Sequence, residues 1–231
     1  MIEKPLSNNM EGLDEVMALA KEKNLIASVA FCNRYHKGMQ RLREVAESGV
    51  LGKLINIRTT MCEFFPESRP DYMQTYYVQY SGCFELIHAA DLALWIAGGK
   101  PEQICGIYGS DADIGFTSPD NAELLFRTET GVTCSVNLGF YRFPGKVEVC
   151  LYGTEGSCEL NYTHVSYDLQ TYTRETRSWE KEHVEGLTRN MMFQAEDREF
   201  LESIVSGKHQ GCNLEDAARS LKVYCEVYKE C

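Results

Sequence analysis

The sequence predicts an α+β fold in which a mostly antiparallel, open sheet carries helices on one face. Residues 101–174 contain successive strand-like segments separated by turn signals such as Glu129-Thr130-Gly131, a pattern typical of an antiparallel meander. Amphipathic helical patterns lie before and after this region, at residues 37–48, 189–206 and 214–229. Strands and helices are therefore segregated along the chain, as they are in α+β proteins.

The part of the chain before the meander alternates between helices and strands. Leu13, Val16, Met17 and Ala20 recur at spacings of three and four, which predicts a helix over residues 9–23. Further elements are expected as a buried strand at 25–31, a strand at 53–65 and a buried helix at 83–97. Residues 66–80 are expected to form a loop with four tyrosines, long enough to be functional.

Composition excludes several classes of protein. The 34 acidic residues outnumber the 23 basic ones and give a net charge of -11, which argues against a nucleic-acid partner. No apolar run reaches the ~18 residues of a membrane span, and the N-terminus has no signal-peptide core. The ten cysteines are scattered without a C-x-x-C pair, as expected for free thiols in a reducing cytoplasm.

His88 is the first candidate for acid–base chemistry, because its ordinary pKa lies near neutrality. Glu85 and Asp91 lie three residues away on either side, so one face of the predicted helix carries all three. A carboxylate there could orient the imidazole and favour its charged form. Two alternatives remain open, a core histidine with satisfied hydrogen bonds and a metal site. Three ligands on one helix rarely converge without a fourth from elsewhere, so we expect no metal.

Two further groups are candidates for ligand contacts. Asn33, Arg34 and Tyr35 follow the carboxyl end of a predicted strand, the end that faces the ligand crevice in open α/β sheets. Arg34 is equally consistent with a surface cation paired with glutamates. The tyrosines at 72–80, Tyr76 among them, offer flat apolar faces with hydroxyls for a sugar pocket, or pack the loop onto the domain.

Five segments in order resemble the Gfo/Idh/MocA family of NAD(P)-dependent oxidoreductases, named after glucose–fructose oxidoreductase and inositol dehydrogenase. They are E-K-P-L at 3–6, V-A-F-C-N-R-Y at 29–35, G-V-L-G-K at 49–53, G-C-F-E-L-I-H-A-A-D at 82–91 and Y-G-T-E-G at 152–156. Each motif is weak alone, but their order and spacing over nearly the whole chain are specific. Many family members place an Asp four residues before the histidine; this chain has Phe84 there and Glu85 one position later.

The resemblance implies a function and a set of site residues. It implies oxidation or reduction of a sugar, polyol or related hydroxy compound with NAD or NADP. Lys4 would stabilise the developing alkoxide, His88 would be the acid–base group, and Glu85 would orient its ring. The cofactor contacts implied are Glu3, Lys4, Pro5 and Arg34. The substrate contacts implied are Asn33, Tyr35, Tyr76 and Asp91.

The chain also departs from the family pattern, because it contains no G-x-G-x-x-G pyrophosphate cradle. We expect residues 1–24 to be a remnant of a dinucleotide-binding domain and residues 25–231 to be a substrate-binding and oligomerisation domain. Met1 would be an internal methionine of a longer ancestral frame. NAD or NADP binding by this chain alone is expected to be weak or absent. The resemblance further implies a homo-oligomer through the open sheet face; the alternative is a non-catalytic dimerising or ligand-binding relic.

Overall fold

The computed structural model describes residues 1–69, 71, 81–115 and 117–228. The helices are α1 (Leu13–Glu22), α2 (Lys37–Glu47), α3 (Phe65–Ser68), α4 (His88–Ala97), α5 (Arg189–Ser206) and α6 (Leu214–Val227). The strands are β1 (Ile2–Glu3), β2 (Val29–Ala30), β3 (Leu54–Phe64), β4 (Pro101–Gly109), β5 (Asn121–Thr128), β6 (Thr133–Gly139), β7 (Tyr141–Gly153), β8 (Gly156–Tyr162), β9 (Tyr167–Thr173) and β10 (Trp179–Val184). Two 3-10 segments occupy Cys32–Tyr35 and Gly82–Leu86.

Eight of these strands form one sheet in the order β10-β9-β8-β7-β3-β6-β5-β4. Every neighbouring pair is antiparallel except β3 and β6, which run parallel. The predicted α+β class and mostly antiparallel sheet are therefore confirmed. The predicted antiparallel meander over residues 101–174 is wrong at one point, because β3 lies between β6 and β7. Strand β10 was also missed, since its residues 179–184 lie beyond the predicted end of the meander.

One face of the sheet packs against helices and the other stays open. Along β6, Cys134, Val136 and Leu138 are fully buried, whereas the intervening Ser135 and Asn137 are half-buried. Helix α4 packs on β3 and β6, α6 on β4 and β5, and α2 on β8 and β9. The alternation of apolar and polar residues read from the sequence thus separates the core face from the open face, as expected for an antiparallel sheet.

The N-terminal segment is joined to the rest of the chain by a small parallel sheet. Ile2 and Glu3 pair with Val29 and Ala30, and α1 connects the two strands. Only Val29–Ala30 of the predicted strand 25–31 pairs as a β-strand, and a 3-10 segment follows at Cys32–Tyr35. The predicted helix 9–23 is confirmed over Leu13–Glu22.

The predicted helix at 83–97 is two elements rather than one. Gly82–Leu86 is a 3-10 segment, and the α-helix begins only at His88. Gly82 has a φ of 54°, and a Cβ there would overlap the carbonyl oxygen of Pro119. The close approach of these two backbones fixes the turn before α4, so Glu85 and His88 do not belong to one regular helix.

None of the helices in the described part of the chain combines the length and the apolarity needed to cross a bilayer.

Candidate functional site

A cavity of about 460 Å³ lies where β1, the two 3-10 segments, β3, β7, β8 and the start of α5 meet. This volume falls within the range of roughly 300–1,000 Å³ typical of small-molecule sites. The lining side chains that bear on its chemistry are Lys4, Cys32, Asn33, Glu63, Arg69, Glu85, His88, Lys146, Tyr162, His164 and Arg189. The cavity therefore brings together residues from nearly the whole length of the chain.

Lys4 enters this cavity directly after β1. Its Nζ donates a hydrogen bond to the backbone oxygen of Glu85 at 3.1 Å and is also ion-paired with the Glu85 carboxylate. Only 15% of the Lys4 side chain and 12% of the Glu85 side chain are exposed. The pairing of β1 with β2 therefore holds a largely desolvated ammonium at the cavity wall, in contact with the turn that precedes α4.

His88, the first residue of α4, lies beside this pair and lines the same cavity. Its Nδ1 is enclosed and has no hydrogen-bond partner among the described residues. The ring packs edge-on against Phe31, with 5.5 Å between centroids. Burial lowers the pKa of His88 well below its ordinary value, and the charges of Lys4 and Arg189 lower it further. The imidazole is therefore neutral at physiological pH, and the expectation that a carboxylate favours its charged form is wrong.

Glu85 and Asp91 do not orient the His88 ring. Glu85 is engaged by Lys4, and Asp91 is completely buried, where it accepts hydrogen bonds from Arg34 Nε at 2.8 Å and Nη2 at 2.6 Å. Glu85 and Asp91 therefore pair with different cations, Lys4 and Arg34, and neither pairs with His88. Across the described ranges, no group of three or more His, Cys, Asp or Glu residues is placed to hold a metal ion.

The segment 33–35 divides between the cavity and the protein interior. Asn33 lines the cavity. Arg34 is only 5% exposed and lies away from it, paired with Asp91 and, at 3.4 Å, with Asp216. Tyr35 donates a hydrogen bond to Glu199 at 2.9 Å. The placement of Arg34, Tyr35 and Asp91 gives no support to their expected ligand contacts. Tyr76 lies outside the described residues.

Several cavity residues were not found by sequence reasoning. Tyr162 ends β8, Lys146 lies in β7, and Arg189 begins α5. His164 and Arg69 also line the cavity. These residues belong to no motif, and only the tertiary fold brings them to Lys4 and His88. No local signal in the sequence could have identified them.

Comparison with known proteins is consistent with this architecture. A family model described as the GFO/IDH/MocA C-terminal domain matches residues 39–159. A myo-inositol 2-dehydrogenase from Thermotoga maritima is 28% identical over 163 residues, which cover 67% of this chain and 46% of that protein. The chain thus spans about half the length of this relative.

Solved structures with the same fold cover almost all of this chain. A levoglucosan dehydrogenase in complex with NADH and levoglucosan superposes with a TM-score of 0.85 and 18% identity over 99% of this chain and 70% of its own. An oxidoreductase from Agrobacterium radiobacter in complex with NAD+, L-tartaric acid and magnesium gives a TM-score of 0.84 with 16% identity, over 99% of this chain and 69% of that one. At these identities the likeness establishes the fold.

Proposed function

The chain belongs to the GFO/IDH/MocA family, and from that premise we propose that it provides the catalytic and substrate-binding site of an NAD(P)-dependent oxidoreductase. The substrate is a sugar, a polyol or a related hydroxy compound. The observation that carries the proposal is that Lys4 and His88 line one cavity, although 84 positions (88 − 4) separate them in the sequence. The myo-inositol 2-dehydrogenase relative supports the substrate class.

The cavity supplies what oxidation of a carbinol requires. The ammonium of Lys4 donates to the substrate hydroxyl oxygen and stabilises negative charge as it develops there. The neutral His88 imidazole, with no hydrogen bond among the described residues to compete, accepts the hydroxyl proton. Glu85 holds Lys4 in place and takes the role of a positioning residue. In reduction, His88 returns the proton.

The residues present fit the nicotinamide end of the cofactor and not its pyrophosphate. Glu3, Lys4 and Pro5 would hold the nicotinamide end beside the cavity, where a bound nicotinamide supplies the hydride acceptor or donor. The sequence offers no G-x-G-x-x-G turn for the phosphates. We therefore propose that residues 1–24 belong with a dinucleotide-binding domain, and that NAD or NADP binds this chain alone weakly or not at all.

The parallel pair β1–β2 supports this assignment of the N-terminal segment. Parallel sheets are usually buried on both faces and larger than two strands, yet Ile2 and Glu3 are both exposed. A preceding domain that continues this sheet would cover them.

The nine described cysteines are free thiols, which fits residence in a reducing compartment such as the cytoplasm.

The test is hydride transfer in a chain fused behind a dinucleotide-binding domain. Formation of NADH or NADPH is followed by absorbance with a panel of cyclic polyols, sugars and sugar acids, for the wild type and for Lys4→Met. We expect turnover with at least one of these compounds, and a loss of about 10²-fold or more in Lys4→Met. Cofactor binding without turnover on any of them would favour the second candidate.

That second candidate is a non-catalytic relic that binds a ligand or dimerises. In this case ligands would still bind the cavity, and Lys4→Met would alter their affinity with no redox reaction to measure.

A further inference from the structure

The cavity has an excess of positive charge that the rest of the molecule does not share. Four cations line it, Lys4, Arg69, Lys146 and Arg189, against the two carboxylates of Glu63 and Glu85. The whole chain, by contrast, carries a net charge of -11. Residues 72–80 contain no acidic side chain that would alter this balance. The cationic cavity is therefore a local feature and not a consequence of composition.

Arg189 is the lining cation whose charge is not matched by a neighbouring carboxylate. Lys4 is paired with Glu85, Arg69 lies 3.8 Å from Glu63, and Lys146 lies 2.6 Å from Glu148. The guanidinium of Arg189 stacks only on the Phe193 ring, 5.5 Å from its centroid, and makes no ion pair with any described residue.

The position of Arg189 in the fold adds to its charge. It is the first residue of α5, an 18-residue helix whose N-cap residue, Thr188, makes no side-chain capping hydrogen bond. The amino end of a helix carries partial positive charge and free backbone N–H groups. The charge of Arg189 also affects two other residues that line the cavity. After burial, it is one of the causes that lower the pKa of His88 and of His164.

Tyr162 provides a second, independent sign of a polar ligand. Tyr162 lines the cavity and is only 5% exposed, and its enclosed hydroxyl has no hydrogen-bond partner among the described residues. The ring is fixed by packing on His36, with 4.5 Å between centroids. An unpaired buried hydroxyl costs about 1–3 kcal/mol, a cost that is removed when a ligand oxygen fills the site.

We propose that this cavity selects an anionic substrate, a hydroxy compound that bears a carboxylate or a phosphate ester. Arg189 binds the acidic group, and the Tyr162 hydroxyl donates a hydrogen bond to a ligand oxygen. Lys4 and His88 then face the carbinol to be oxidised. The inference rests on the proposed function for the reacting carbon, but the recognition of the anion stands on the charge and polar groups of this chain alone.

Calorimetric titration of the chain with three matched ligands tests the proposal: D-glucuronate, D-glucose 6-phosphate and D-glucose. Glucuronate differs from glucose by a carboxylate in place of a hydroxymethyl group, and the phosphate ester distinguishes the second source of negative charge. We expect at least one acid to bind tenfold or more tightly than glucose. Equal affinities, or no binding of either acid, would overturn the proposal.

Single-residue variants show which side chains cause the preference for the acid. Arg189→Met is expected to remove tenfold or more of the preference for the acid, and Tyr162→Phe to weaken the acid while keeping the ring packed. Arg198→Met, an exposed arginine on the same helix and outside the cavity, is the matched control and should bind as wild type does. Melting temperatures confirm that the variants fold. An unchanged preference in Arg189→Met contradicts the assignment.

The test of anion binding can fail or succeed independently of the test of hydride transfer. Acid binding that depends on Arg189, without hydride transfer in the fused protein, would reject the dehydrogenase and retain the anion site. Turnover of neutral polyols, without any preference for the acids, would do the reverse.

Discussion

At the scale of single residues, two histidines near the cavity differ in whether the fold satisfies the hydrogen bonds of their rings. His36 caps α2 by accepting a hydrogen bond from the Gly38 amide at 3.1 Å, and its Nε2 lies 3.0 Å from the oxygen of Thr163. Both of its ring nitrogens are therefore satisfied by the fold. His88 has no such partner: its enclosed Nδ1 is unpaired among the described residues, and the residue lines the cavity.

Glu196 gives a prediction about pH. It is 5% exposed, and its Oε1 lacks a hydrogen-bond partner within the described ranges. Burial, with the nearby carboxylates of Glu3 and Asp197, raises its pKa from 4.5 to about 8. Between these two values the folded state keeps a proton on Glu196 that the unfolded state has lost, so the contribution of Glu196 to stability falls as pH rises from 4.5 towards 8.

The variant Glu196→Gln isolates this effect. Relative to wild type, its free energy of unfolding is expected to increase with pH over this window, by on the order of 3 kcal/mol, and to level off above pH 8. Urea denaturation of both proteins at a series of pH values measures the difference, in which contributions from the histidines cancel. A difference that does not change between pH 5 and pH 8 would show that Glu196 is ionised throughout.

Sequence motifs were informative for some residues and not for others. Lys4 and His88 were identified because each belongs to a motif with its own chemistry. The role of Arg34 was left undecided, and the sequence could not settle it, because its partner Asp91 lies on another element. Tyr162 and Arg189 gave no signal, since an unpaired hydroxyl or guanidinium is a property of the packed structure.

At the scale of elements, a buried polar network joins three segments behind the cavity. Arg34 in the first 3-10 segment pairs with Asp91 in α4, and Ser220 in α6 donates to the same carboxylate at 3.2 Å. This network holds the segment that presents Asn33 against the helix that begins with His88. Its integrity therefore determines whether the cavity wall forms.

Asp91→Asn is predicted to be strongly destabilising. It leaves the Arg34 guanidinium buried with only the longer contact to Asp216, and such an uncompensated charge costs about 3–5 kcal/mol. The matched control is Glu47→Gln, which breaks the exposed ion pair with Arg43 and should cost no more than about 0.5 kcal/mol. Chemical denaturation measures both, and a cost below about 1 kcal/mol for Asp91→Asn would contradict the role given to the network.

Most helices and strands could be predicted from the local sequence pattern. The exceptions depend on contacts between residues far apart in the sequence. Helices α2, α5 and α6 and the alternation in β5 and β6 were predictable because periodicity and burial agree there. The insertion of β3 between β6 and β7 depends on contacts between residues far apart in sequence, such as Thr59 with Val136 and Val149. The break before His88 depends on the approach of Pro119 to Gly82.

At the scale of the whole molecule, the open face of the sheet is the surface that we propose for self-association. Ile107 and Leu125 are 75% and 45% exposed on neighbouring strands β4 and β5. The register places Tyr152, Tyr172 and Trp179 on the same face. A face with this many apolar groups is better paired with a second copy than solvated.

Sedimentation tests this proposal. The wild type is expected to sediment as a dimer or larger at about 50 µM, within the usual range for weak interfaces. Leu125→Asp should shift it towards monomer, because the substitution places a charge in the interface. Val205→Asp is the control, since Val205 is 89% exposed on α5 and away from the sheet. A wild type that sediments as a monomer at this concentration would count against the interface.

The central claim is that Lys4 and His88 form a hydride-transfer site, and the two histidines test it most directly. In the protein fused to a dinucleotide-binding domain, turnover per folded molecule is measured for His88→Asn and His36→Asn, with melting temperatures on the same preparations. The account predicts a loss of about 10²–10⁴-fold in His88→Asn. For His36→Asn it predicts a lower melting temperature with turnover per folded molecule retained at saturating substrate, because His36 reaches the substrate only through its packing on Tyr162. Full turnover in folded His88→Asn would contradict it.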